Sequence, residues 1–195
     1  MPINSNDIRV QKTIIRDESK AFRQNLSVDE KLRLDRKIAN RLLNLWYFRE
    51  IDLLLTYVSN SIEVDTKFII QQALAQGKHV AVPRCVNGTR YLEFYLINSL
   101  QELEKGSFGL LEPPENIYNK LTDFSGALCI VPALAFDPNG FRLGFGKGYY
   151  DRFLSNSNFK TIGMCYDSCI FNELPHGKFD RKVSMIVTES RIIDF

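Results

Sequence analysis

The sequence predicts an α/β fold, a single domain on a mostly parallel or mixed sheet flanked by helices on both faces, and three observations lead there. From residue 51 onward, short apolar runs alternate with amphipathic segments, the pattern of strands joined by crossover helices. The runs are apolar almost throughout, as in IDLLLTYV (51–58) and ALCIV (127–131), so both faces of each strand meet apolar neighbours. The chain has 195 residues, 45% of them apolar, which is enough for one sizeable core at the usual ~150 residues per domain.

Two helices come first. Ile8, Ile15 and Phe22 recur every seven positions, while Arg9, Lys12, Arg16, Lys20 and Arg23 fall at three- and four-residue steps; this is a helix over 7–24 with a basic stripe. Ser27 with Glu30 three residues on has the spacing of a capping box, and it opens a second amphipathic helix over 28–46 carrying Leu32, Ile38, Leu42 and Leu45. Residues 51–58 then read as a buried strand. Asp65 caps a helix that runs to Gly77, and strands follow at 79–83 and 91–97. A loop holding Gly106, Gly109, Pro113 and Pro114 precedes the strand at 127–131. A helix begins near Tyr150, and the last strands fall at 161–165, 185–188 and 192–195. No repeat or low-complexity segment interrupts the series.

Composition narrows the function. Lys+Arg 25 against Asp+Glu 23 leaves a formal charge of +2, which argues against a dedicated polyanion binder and against disorder. The polar N-terminus lacks the apolar core of a signal peptide, and the longest apolar run, 127–136, contains Pro132. A membrane span is not expected. Cys85, Cys129, Cys165 and Cys169 lack CxxC spacing and read as reduced core thiols of a cytoplasmic protein.

The chemistry concentrates in residues 136–154, FDPNGFRLGFGKGYYDRFL. Gly144, Gly146 and Gly148 alternate with Phe145 and Lys147 between a buried strand and a helix start. Such a turn aims backbone N–H groups at an anion beyond the carboxyl end of a strand. Arg142 and Lys147 add two cations, and Asp151 follows where a carboxylate beside phosphates points to Mg²⁺. Tyr149 breaks a Rossmann GxGxxG, and Phe141 with Gly148 breaks a Walker A. A purely structural tight turn remains the alternative reading of the three glycines.

The run FDPNGFRLGFGKGYYDR closely resembles the signature of the 5-formyltetrahydrofolate cyclo-ligase family. Further matches are Lys12 and Arg16 ahead of the Ser27 cap, the segment 57–66, GLLEP at 109–113, and Pro175 followed by Asp180. The resemblance implies a fold similar to sugar-phosphate isomerases and CoA transferases. It also implies ATP-dependent conversion of 5-formyltetrahydrofolate to 5,10-methenyltetrahydrofolate with release of ADP and phosphate, by phosphorylation of the formyl oxygen and attack of N10. Carried over by position, Lys12, Arg16 and the run Arg142, Leu143, Gly144, Phe145, Gly146, Lys147, Gly148, Tyr149 and Tyr150 would contact ATP, with Arg142 and Lys147 catalytic. Val58, Glu63 and Phe145 to Tyr149 would hold the folate, and Asp151 and Asp180 would hold Mg²⁺. Phe108, just before GLLEP, could cover the substrate in place of an aromatic found nearby in relatives, but an aromatic in a loop is more often packing, and it is left out of the site. The expected partners are small molecules, with no nucleic acid or membrane, and the expected working unit is a monomer. A sugar-phosphate isomerase or acyl-CoA transferase would want an enolising carboxylate or nucleophilic Glu that no motif announces. A noncatalytic nucleotide sensor would keep the phosphate loop and lack the folate pocket.

Overall fold

The computed structural model describes residues 7–155 and 158–195. Helix α1 (Ile8–Asn25) starts at Asp7, whose carboxylate accepts from Arg9 N, and α2 (Val28–Leu43) starts at Ser27, whose hydroxyl accepts from Glu30 N. Only half of the expected box forms: Glu30 forks onto Arg33 at 2.9 and 2.7 Å instead of reaching back. The second helix also ends earlier than its apolar pattern suggests. Asn44 caps it and a separate short helix, α3 (Trp46–Glu50), follows, so the expected 28–46 span is two helices. Helix α4 (Lys67–Ala75) begins where the Asp65 carboxylate accepts from Lys67 N and Phe68 N. It ends at Gly77, whose φ of +76° lets its N–H reach Leu74 O while Lys78 N reaches Ala73 O.

The main sheet has eight strands: β1 (Leu53–Thr56), β2 (His79–Cys85), β3 (Leu92–Ile97), β6 (Lys120–Leu121), β7 (Leu128–Val131), β10 (Lys160–Met164), β11 (Met185–Val187) and β12 (Ile192–Asp194). Two minor antiparallel pairs lie outside it, β4 (Glu104–Lys105) with β5 (Leu111–Glu112) and β8 (Ala135–Phe136) with β9 (Arg142–Leu143). The order is β12-β11-β10-β7-β1-β2-β3-β6, parallel from β11 to β2 and antiparallel at both edges. Strand β1 leads through α4 to β2 on one side, and β7 leads through α5 (Tyr149–Leu154) to β10 on the other. Right-handed crossovers running in opposite directions set α4 and α5 on opposite faces. Leu54, Leu55, Cys129, Ile130, Val131 and Ile186 are fully buried, as near-continuous apolar strands require.

The topological switch lies between β1 and β7, and a crevice opens beyond the carboxyl ends of strands at such a point. The basic stripe of α1 turns toward the protein: Arg23 is buried, while Ile8 and Ile14 are exposed. All four cysteines are free. Three are buried, but Cys85 ends β2 and lines the crevice, so it is no core thiol.

Candidate active site

A cavity of about 410 Å³ occupies that crevice. Its floor is built at the carboxyl ends of the central strands, from Tyr57, Val58 and Glu63 after β1, Pro83 and Cys85 at the end of β2, and Pro132 after β7. One wall is the glycine loop. The FDPNG turn aims it, because Asp137, fully buried, accepts from Asn139 N and Phe141 N with one oxygen and from Leu174 N with the other. The reversed chain pairs β9 with β8 and delivers Arg142 to the cavity. Gly146 and Gly148 sit at φ +89° and +76°, a conformation that favours glycine. A Cβ on Gly146 would also lie 3.2 Å from the Arg16 guanidinium carbon. Helix α5 has only six residues, so the positive potential comes from the loop N–H groups and from Arg16, Arg142 and Lys147.

The cations are fixed in different ways. Arg16 Nε donates to Gly144 O at 2.9 Å. Arg142, with its side chain 4% exposed, donates through Nη2 to Asp151 at 2.6 Å, and its buried Nε has no partner among the described residues. Burial pulls its guanidinium down from its ordinary value, and the Asp151 carboxylate opposes that. Lys147 Nζ lies 5.4 Å from the centre of the Phe108 ring. Lys12 does not line the cavity; it meets Asp180 at 2.7 Å, and Gly177 N donates to the same Asp180 oxygen. Burial alone would raise the Asp180 carboxyl, but the bonds from Lys12 and Gly177, with the Lys12 and Arg142 charges, outweigh it and hold the group below its usual value.

Glu63 of the floor is 7% exposed, with Oε2 accepting from Asn60 N at 2.9 Å. Burial raises its carboxyl, against the Asn60 N–H and the Arg23 and Lys31 charges. The Tyr150 hydroxyl is buried beside it without a partner among the described residues. Of the residues singled out by sequence, Val58, Glu63, Arg16, Asp151, Asp180 and the whole run 142–150 line this one cavity. Outside the site residues picked by sequence lies a further wall, Phe108 and Leu110 between β4 and β5 with Leu111 and Glu112 of β5 itself. The GLLEP match was the signal for it. Of the two readings of Phe108, loop packing does not hold: it lines the cavity, is 64% exposed and has a left-handed φ of 57° ahead of Gly109 at 72°. Gly106 touches Glu112 so closely that a Cβ there would overlap its carboxylate at 2.2 Å.

Among the described residues no three His, Cys, Asp or Glu side chains converge as a metal cage. Two carboxylates from distant segments are what Mg²⁺ uses when phosphates and waters complete its shell. Asp151 and Asp180 each spend one oxygen on a cation, so the donor set fits. No described helix is long and apolar enough to cross a membrane.

A sequence model of the 5-formyltetrahydrofolate cyclo-ligase family matches residues 8–189. The 5-formyltetrahydrofolate cyclo-ligase of Haemophilus influenzae is 31% identical over 85% of this chain and 91% of its own length, and that of Mus musculus is 27% identical over 90% and 92%. The NMR structure of Aquifex aeolicus 5,10-methenyltetrahydrofolate synthetase superposes with a TM-score of 0.81 at 31% identity, covering 94% of this chain and 92% of that one. The Mycoplasma pneumoniae synthetase, at 22% identity and a TM-score of 0.72, shares the fold.

Proposed function

The chain belongs to the 5-formyltetrahydrofolate cyclo-ligase family, and on that premise we propose that it converts 5-formyltetrahydrofolate to 5,10-methenyltetrahydrofolate at the expense of ATP, releasing ADP and phosphate. The observation that carries this reading is one cavity lined both by a cationic glycine loop and by a buried carboxylate, Glu63.

A formyl amide is a poor electrophile, because nitrogen lone-pair donation fills the carbonyl carbon. Its oxygen attacks the γ-phosphorus, the bond to the ADP oxygen breaks, and the carbon becomes activated. N10 then adds to that carbon and loses its proton, and phosphate leaves with the former formyl oxygen. Charge grows on the transferring phosphoryl group, and positioned cations and N–H groups stabilise it without covalent chemistry by the protein. In this reading Arg142, Lys147 and the loop N–H groups do this, with Arg16, which also lines the cavity, tied to the loop at Gly144 O. Asp151 and Asp180 would hold Mg²⁺, which would supply positive charge to the reacting phosphates. In the same cavity Glu63 would accept from the pterin N3–H and 2-amino groups, and Val58 and Tyr149, which also line it, would hold the folate with it.

The test is direct. Purified protein with 5-formyltetrahydrofolate, ATP and Mg²⁺ should develop the methenyl chromophore and release one phosphate per product. Chromophore formed without ATP would overturn the phosphorylation step.

A further inference from the structure

Three successive carbonyls of the segment carrying Glu63 are each held by a side chain from a different element. Arg23 of α1 donates to Ile62 O at 3.1 Å, Lys31 of α2 donates to Glu63 O at 2.8 Å, and Tyr57, just after β1, donates to Val64 O at 3.0 Å. Such density on a connecting loop is unusual, since loop carbonyls ordinarily turn to water. Arg23 is 3% exposed and is itself anchored: its other nitrogen bridges Ala133 O and Leu134 O at 3.0 and 2.9 Å, directly after Pro132 of the cavity floor. Lys31 is fixed by Asp35 at 2.5 Å, and Asp35 by the Tyr166 hydroxyl at 2.7 Å.

We infer that Lys31 and Arg23 are positioning residues for the folate, acting through Glu63: they fix the backbone from which its carboxylate faces the cavity. The inference rests on the reading of Glu63 as the pterin acceptor. Neither residue lines the cavity, so neither touches substrate. Their second effect is electrostatic. The groups facing Glu63 are Arg23 from α1, Lys31 from α2, Tyr57 after β1, Tyr150 from α5 and Asn60 on its own loop, with Asp35 behind Lys31. Burial pushes the carboxyl toward protonation, and the two cations are the charges that oppose this. Removing one should therefore let the proton return at a higher pH, and only the ionised carboxylate accepts both pterin donors.

The experiment is calorimetric titration of 5-formyltetrahydrofolate across pH, with steady-state kinetics beside it, for wild type, Lys31→Met, Lys31→Arg, Glu63→Gln and Lys31→Met/Glu63→Gln. Lys31→Met should weaken folate binding about tenfold at neutral pH and move the acid limb of binding to higher pH. Turnover at saturating folate and the KM for ATP should stay within about twofold. Lys31→Arg should recover most of the affinity, and in the Glu63→Gln background the Lys31 change should have almost no further effect. Because Lys31→Met strips Asp35 of its cation, Lys31→Met/Asp35→Asn carries the same expectation without a lone buried charge. Wild-type affinity in Glu63→Gln would overturn the pterin reading and this inference with it. Lost affinity in Glu63→Gln, with Lys31→Met at wild-type affinity or equally damaging in both backgrounds, would overturn the inference alone.

Discussion

Glu63 illustrates how a side chain can oppose folding and serve binding at once. Its carboxyl is raised by burial, so the ionised form costs the folded protein stability as pH rises through the folded value. Below the unfolded value both states are protonated and the cost vanishes. Glu63→Gln keeps an acceptor for Asn60 N and removes the charge. The unliganded variant should therefore melt above wild type at neutral pH, with the gap closing in acid. Folate affinity should fall by roughly 30- to 1000-fold, about 2–4 kcal/mol, because a charge-assisted bond is lost and an NH₂ faces a pterin donor. Thermal melts across pH and calorimetry check the two halves separately. The carboxylate pair makes a second claim at this scale. Asp151→Asn and Asp180→Asn should each raise the Mg²⁺ concentration for half-maximal activity, by about tenfold for loss of one charged oxygen ligand. A metal titration that superposes on wild type would remove that residue from the site.

At the scale of elements, α1 departs most from its appearance. A basic stripe on an N-terminal helix usually faces water, yet here Lys12 reaches Asp180, Arg16 reaches the glycine loop and Arg23 reaches the segment before Glu63. One helix face thereby meets both proposed substrate halves of the cavity. The sheet makes a comparable demand at Gly163 of β10. A Cβ there would lie 2.2 Å from Phe136 Cζ, and Phe136, on the strand that leads into the FDPNG turn, is fully buried. Gly163→Ala should destabilise by about 1–3 kcal/mol or more, since a packed ring cannot swing aside. Pairing it with Phe136→Leu should recover part of the loss. Urea melts of the single and double variants measure both; an unchanged midpoint in Gly163→Ala would show that the strand yields instead.

For the whole molecule, the cavity is assembled from segments near residues 16, 57–63, 83–92, 108–112, 132, 142–151 and 180, so a ligand there bridges most of the chain. Folate at 100 times its Kd should stabilise the native state by about 2.7 kcal/mol. A thermal shift that appears in wild type and largely disappears in Glu63→Gln at the same concentration is the expected outcome; no shift in wild type would show that the folate does not bind the folded chain. The sequence alone determined the α/β class, because continuous apolar strands between helical segments have few other solutions. It also determined the glycine loop with its cations, whose residues are contiguous and whose spacing is legible in one line. Asp65 and Gly77 marked the limits of α4 for the same reason: a helix end is a local hydrogen-bonding problem. Only the tertiary structure decided that Glu63 is buried rather than an ordinary surface charge, that Phe108 and Glu112 line the cavity with the glycine loop, and that the α1 stripe faces inward. Each of these depends on contacts between residues tens of positions apart, and periodicity records which side chains share a face but not what that face meets.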